Sequence, residues 1–184
     1  MQDIVDRAEA KMKSSIDAVR RELGSIRTGR ASTGLVESLH VEYYGAETPL
    51  KQLANISVPE ARSIVIQPYD RTAMGSIEKA ILKSDLGLTP NNDGQHIRLT
   101  IPTLTEERRK DLVKLVRKQL EEGRVAVRNV RREANDHLKA MEKEKTLSAD
   151  DDKRAQERLQ KLTDTYIKQI DDIGHVKEAE VMEV

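Results

Sequence analysis

Apolar residues recur at alternating steps of three and four in three stretches of the chain, the spacing of one buried stripe on an α-helix. The first stretch runs from about Gln2 to Arg27, through Val5, Ala8, Met12, Ile16, Val19, Leu23 and Ile26. The second opens at Thr105, a good N-cap, with Glu106 and Glu107 near the positive end of the helix dipole. Its stripe continues through Leu112, Val116, Leu120, Gly123, Val127, Val130, Ala134, Leu138 and Met141. No proline interrupts this span, so a helix of about 40 residues reaches roughly 60 Å. The third begins at Ser148, with Asp151 in a capping-box-like position, and carries Ala155, Leu159, Leu162, Tyr166, Ile170, Ile173 and Val176. A short turn at Thr146-Leu147 separates the last two helices. Three such helices predict a long antiparallel three-helix bundle from residues 1–29 and 105–184. The same near-heptad spacing also suits a coiled coil between chains, which is the competing reading.

Residues 31–103 follow a different rhythm. Leu39, Val41 and Tyr43 alternate with Ser38, His40 and Glu42, as in a half-buried strand. Gly45 then turns the chain. Ile56-Ser57-Val58 and Ile64-Val65-Ile66 read as further strands closed by Pro59 and Pro68, and Ile97–Ile101 as another after the turn Asn92-Asp93-Gly94. Between them, Ala73 to Leu86 predicts a short helix with Ile77, Ala80 and Ile81 facing inward. All five prolines lie in this segment. The fold class is therefore α+β: a helical bundle with a small β/α/β domain inserted after its first helix. The insertion has two tethers, near 28–34 and 102–105. They contain Gly29, Arg30 and Ala31 on one side and Pro102, Thr103 and Leu104 on the other. Glycine frees the backbone there while proline limits it, which predicts a rigid-body swing of the inserted domain.

Composition narrows the function by exclusion. With no cysteine, the chain has no disulfide scaffold, cysteine zinc site, iron–sulfur cluster or thiol nucleophile. With no Phe or Trp and four Tyr, it lacks the aromatic platforms of base-stacking RNA modules. No apolar run approaches a membrane span, and the first residues resemble neither a signal nor a transit segment, so a soluble cytoplasmic protein is expected. Lys and Arg number 32 and Asp and Glu number 32, a formal charge of zero that taken globally speaks against nucleic acid.

The zero is a sum of opposed regions. Arg108 to Arg132 holds ten basic side chains against Asp111, Glu121 and Glu122, whereas the chain from Glu133 onward holds nine basic and fourteen acidic. Fields act over about 8–10 Å at ordinary salt, so the basic segment counts locally. Lys110, Lys114, Arg117, Arg124, Arg128 and Arg131 recur at steps of three, four or seven and share one helix face, interrupted by Glu121. Arg132 lies one turn from Arg128. Val127 and Val130 take the inward face, leaving the arginines to solvent. A charge run is usually a solvated face laced by i,i+4 pairs, but no acid lies between Arg124 and Arg132 to make them. The planar guanidinium fork suits phosphate, and without aromatic interleave it would read RNA shape and backbone, not base sequence. Both readings, phosphate binding and solvated face, stand on composition alone.

Other chemistry is sparse. His40, His96, His137 and His175 are scattered without metal-ligand spacing, and Asp150-Asp151-Asp152 opens a helix, where acids favour the dipole. There is no phosphate-binding glycine loop of the G-x-x-x-x-G-K-[ST] kind and no G-x-S-x-G elbow. No enzyme, cofactor or metal is expected.

Several stretches resemble the bacterial ribosome recycling factor family. They are Arg27-Thr28-Gly29-Arg30-Ala31, Val41-Glu42-Tyr43-Tyr44-Gly45 followed by Thr48-Pro49-Leu50, and Ser84-Asp85-Leu86-Gly87-Leu88. Leu104–Lys110 and Arg124–Arg132 follow in the same order, so the resemblance covers the whole chain. The sequence departs at Thr33-Gly34, where the family commonly has a proline, and at Thr89, where Asn often precedes Pro90. The resemblance implies a three-helix bundle and an inserted β/α/β domain set in an L of tRNA-like dimensions. It implies a monomeric, non-enzymatic translation factor that binds the post-termination ribosome. With elongation factor G, which binds the GTP, it would split the subunits. It places Arg128, Arg131 and Arg132 in the family's basic motif facing large-subunit rRNA. It also places Arg30, Ala31 and Pro102 to Leu104 at the interdomain joints. The competing class is a coiled-coil adaptor without RNA binding.

Overall fold

The computed structural model describes residues 1–183. The chain is α+β and forms two compact units. One contains Met1–Leu23 and Val113–Ala179; the other contains Gly24–Leu112 and the chain end from Glu180.

The first unit is built from three helices: α1 (Gln2–Gly24), α4 (Glu106–Lys143) from Val113 onward, and α5 (Ala149–Met182) as far as Ala179. Both expected caps are made. Thr105 Oγ1 accepts the Arg108 N–H at 3.1 Å, and Ser148 Oγ accepts the Asp151 N–H at 3.1 Å. α4 is antiparallel to α1, as Lys11 Nζ meets Glu133 Oε1 at 3.3 Å while Val19 approaches Gly123. α5 runs parallel to α1, with Arg158 on Gln2 and the Tyr166 hydroxyl donating to Glu9 Oε1 at 3.0 Å. One end of the core is Val5 and Ala8 of α1, Ala134 and Leu138 of α4, and Ala155 and Leu159 of α5. The stripes are thus consumed within one chain, which removes the main reason to expect an intermolecular coiled coil.

Two glycines set the closeness of the bundle. A Cβ on Gly123 would lie 2.4 Å from Val19 Cγ2, and one on Gly174 would lie 2.3 Å from Leu120 Cδ1. The α5 stripe departs from expectation near its end. Val176 is 71% exposed, whereas Gly174, Lys177 and Val181 are buried. A run of steps of four, Tyr166–Ile170–Gly174, rotates the buried face away from the extrapolated Ile173–Val176 line.

The α4–α5 turn closes with two reverse hydrogen bonds, Lys145 N–H to Glu142 O at 3.0 Å and Thr146 N–H to Met141 O at 2.9 Å. This is the Schellman pattern, with Lys145 held at φ 60°. Below it Asp152 is 5% exposed, and its Oδ2 accepts Gln156 Nε2 at 2.9 Å.

In the second unit, β1 (His40–Tyr43) and β2 (Ala46–Pro49) form a hairpin paired His40 to Pro49 through Tyr43 to Ala46. Its turn, Tyr44-Gly45, has positive φ at both residues (49° and 79°), the type I′ geometry that matches strand twist. A one-turn helix α2 (Leu50–Leu53) leads to a separate four-stranded antiparallel sheet. Its strands are β3 (Ala54–Glu60), β4 (Ser63–Pro68), β5 (Asn91–Asn92) and β6 (Ile97–Thr100), in the order β3-β4-β6-β5. β2, α2 and β5 lie outside the sequence expectation because their exposed, polar or very short segments carry no apolar alternation. Pro59 lies inside β3, at an irregularity between Ser57 and Glu60, so it does not end the strand. The helix α3 (Met74–Lys83) is shorter than the expected 73–86 because Ser84 caps its end, donating to the Ile81 carbonyl at 2.6 Å. Ile77 and Ile81 join Val41, Leu50, Ile64, Ile66, Ile97 and Leu99 in one core.

Candidate nucleic-acid interface

The basic residues of α4 divide into two sets. Arg117, Arg124 and Arg131, spaced by sevens, turn toward α5. Arg117 Nε donates to Glu178 Oε1 at 3.1 Å. Arg124 meets Asp171 Oδ1 through Nε at 2.8 Å and Nη2 at 2.6 Å. Arg131 Nη1 donates to Gln160 Oε1, whose amide in turn donates to Asp164 at 2.9 Å. Arg117 and Arg124 thus face Glu178 and Asp171, seven apart on each helix and in opposite order, as two antiparallel helices require, while Arg131 reaches Gln160.

Lys110, Lys114, Arg128 and Arg132 make the outer set. Lys110 pairs only with Glu106 one turn earlier, at 3.6 Å, and both are exposed. Arg128 Nη1 meets Glu121 Oε1 at 3.2 Å. Lys114 and Arg132 are exposed and make no ion pair among the described residues. No acid lies between Arg124 and Arg132 in the sequence, yet the arginines still find partners. The partners come from α5, 29 to 61 residues away in sequence, and from Glu121. The expectation of wholly solvent-facing arginines is corrected for Arg124, whose side chain is 24% exposed. Burial works against its charge, but the hydrogen bonds it donates to Asp171 and Glu121 outweigh that and raise its pKa further. Arg124 is held as a structural cation, whereas Lys110, Lys114 and Arg132 of the outer set are exposed and Arg128 is partly so.

The residues expected to form hinges are well tied within the second unit. Ala31 N–H donates to Ala61 O at 2.7 Å, Ile101 N–H to Arg62 O at 2.8 Å, and Arg62 Nε returns to Ile101 O at 2.9 Å. Thr28 is buried, receives the Arg30 N–H at 3.2 Å and donates to Glu180 Oε1 at 3.0 Å. Gly29 is half-buried and Arg30 exposed, with its Nη1 3.8 Å from Glu183; Pro102 and Thr103 are exposed and Leu104 is buried.

The family profile for ribosome recycling factor matches residues 19–182. The chain belongs to the ribosome recycling factor family. It is 57% identical over 181 residues to the ribosome-recycling factor of Natranaerobius thermophilus, covering 98% of both chains. It is 56% identical over 184 residues to that of Syntrophomonas wolfei, covering 100% of both. A solution structure of the ribosome recycling factor matches with a TM-score of 0.78 and 51% identity, covering 100% of this chain and 97% of that one. A second match has a TM-score of 0.70 and 47% identity over 99% of this chain and 98% of the other. That protein is a T. thermophilus ribosome recycling factor bound, with E. coli elongation factor G, to the E. coli post-termination complex.

The remaining polar candidates stay apart. His40, His137 and His175 are exposed, and His96 lies 3.7 Å from Asp93. Among the described residues no group of three or more His, Cys, Asp or Glu is placed to hold a metal ion, and no helix is long and apolar enough to cross a membrane. Sequence reasoning missed Glu121 as a partner and the α5 acids entirely. Their signal was available: Asp171 and Glu178 lie seven apart, complementary to Arg124 and Arg117 on a helix expected to run the other way.

Proposed function

We propose that this protein binds the post-termination ribosome through large-subunit rRNA and, with elongation factor G and GTP, separates the subunits. It would act as a cytoplasmic monomer. The observation that carries the reading is the full-length likeness to ribosome recycling factors, one of them described, with elongation factor G, as bound to a post-termination complex. The outer cations of α4 support it: Lys114, Arg128 and Arg132 lie on one helix face, and a duplex backbone presents phosphates to such a face. The chain breaks no bond in this scheme, and GTP hydrolysis belongs to the partner. The bundle competes with deacylated tRNA for its site, and the inserted domain swings as a body when the elongation factor pushes it.

The test is sedimentation of post-termination ribosomes after incubation with this protein, elongation factor G and GTP. Free subunits are the expected product; intact ribosomes in the presence of active components would sink the proposal. Arg132→Glu tests the site separately, because that side chain makes no ion pair among the described residues. It should weaken ribosome binding with helical content unchanged.

A further inference from the structure

Glu121 stands on the outer side of the basic face, 56% exposed, and its two carboxylate oxygens are divided between two arginines. Oε2 accepts Arg124 Nη1 and Oε1 accepts Arg128 Nη1, each at 3.2 Å. The two arginines depend on it unequally. Arg124 has a second carboxylate, Asp171, which occupies Nε and Nη2. Arg128 has no other ion-pair partner among the described residues, and its side chain is 38% exposed. A carboxylate and a phosphate compete for the same guanidinium donors.

We infer that Glu121 is a specificity-determining residue of this face, an internal anion that fills the Arg128 fork until a well-placed RNA phosphate displaces it. The inference rests on the rRNA-binding reading above. A phosphate meeting Arg128 alone exchanges one exposed ion pair for another and meets the repulsion of Glu121, so it gains little. An RNA surface that also reaches Lys114 and Arg132, which carry no counter-ion among the described residues, gains enough to release the carboxylate. Glu121 thereby lowers the affinity for arbitrary RNA more than the affinity for the shaped site. Asp171 has a different task, because it holds the mostly buried Arg124 against α5.

The experiment compares wild type with Glu121→Gln, which keeps the side-chain size and removes the charge. Binding is measured across a salt series to post-termination ribosomes and to a short RNA duplex of unrelated sequence. Glu121→Gln should bind the duplex about threefold tighter. The slope of log affinity against log salt should steepen by about one phosphate contact. Ribosome affinity should change less. The double variant Glu121→Gln/Arg128→Gln should lose the gain, because the freed fork is gone. Unchanged duplex affinity and slope in Glu121→Gln overturn the inference. So does a gain that survives removal of Arg128, since that reports only bulk charge. Failure of wild type to bind ribosomes would instead count against the proposed function, while the duplex arm still reads Glu121 by itself.

Discussion

Arg124 of α4 and Asp171 of α5 meet through two guanidinium nitrogens, Nη2 at 2.6 Å and Nε at 2.8 Å from the same carboxylate oxygen. The pair lies in the middle of the seam between two antiparallel helices, with Arg117–Glu178 on one side and Arg131–Gln160 on the other. Asp171→Asn should therefore destabilise the bundle by about 1 kcal/mol, the upper range for a partly exposed ion pair. The check is the midpoint of denaturant unfolding followed by helical signal. An effect that disappears in an Arg124→Gln background assigns it to the pair.

Gly123 and Gly174 should both resist alanine. In a helix interior, Gly→Ala is worth up to about 1 kcal/mol through propensity. A new Cβ at 123 would press on Val19, a β-branched side chain with little rotamer freedom. At 174 it would meet the buried Leu120 at Cδ1, Cδ2 and Cγ, at 2.3, 3.1 and 3.3 Å, so the whole side chain must shift. Both Gly123→Ala and Gly174→Ala should lower the melting temperature despite the gain in propensity. An unchanged or higher melting temperature in either variant would contradict this.

Lys145 is held in the left-handed region at the end of α4. An L-residue with a Cβ is disfavoured there by about 1–2 kcal/mol, and glycine is not. Because glycine also loosens the unfolded chain, Lys145→Gly should stabilise by roughly 0.5–1 kcal/mol. Calorimetry should show a higher melting temperature with ribosome binding unchanged.

Glu142 faces Asp152 beneath the same turn. Hydrogen bonding to Asp152, then burial and the neighbouring charge, raise the Glu142 pKa above its ordinary value. A raised folded-state pKa contributes stability that is fully present below the unfolded value. That stability is lost as pH climbs through the folded one. Unfolding free energy should therefore contain a component that falls as pH rises above the ordinary glutamate range. Glu142→Gln should remove it, flattening that part of the pH–stability profile; an unchanged slope would refute the assignment.

The sequence by itself determined the local elements whose cause is local. The three-four spacing of Val5 to Leu23 and of Leu112 to Leu138 marks the buried face of each helix. Thr105 and Ser148 mark the starts of α4 and α5, because a cap satisfies backbone groups within one turn. The seven candidate cations were legible in the same way, as a face. Which of them are occupied was decided only by tertiary structure. Arg124 is tied by an acid 47 residues away, a pairing set by the register of α4 against α5. That register depends on the close approach at Gly174 to Leu120, which no local period encodes. Val176 shows the same limit, since a drift of steps turned it to solvent. β2 shows it in the sheet domain. It is a strand because β1 offers backbone partners across the Tyr44-Gly45 turn, and its own exposed side chains carry no alternation.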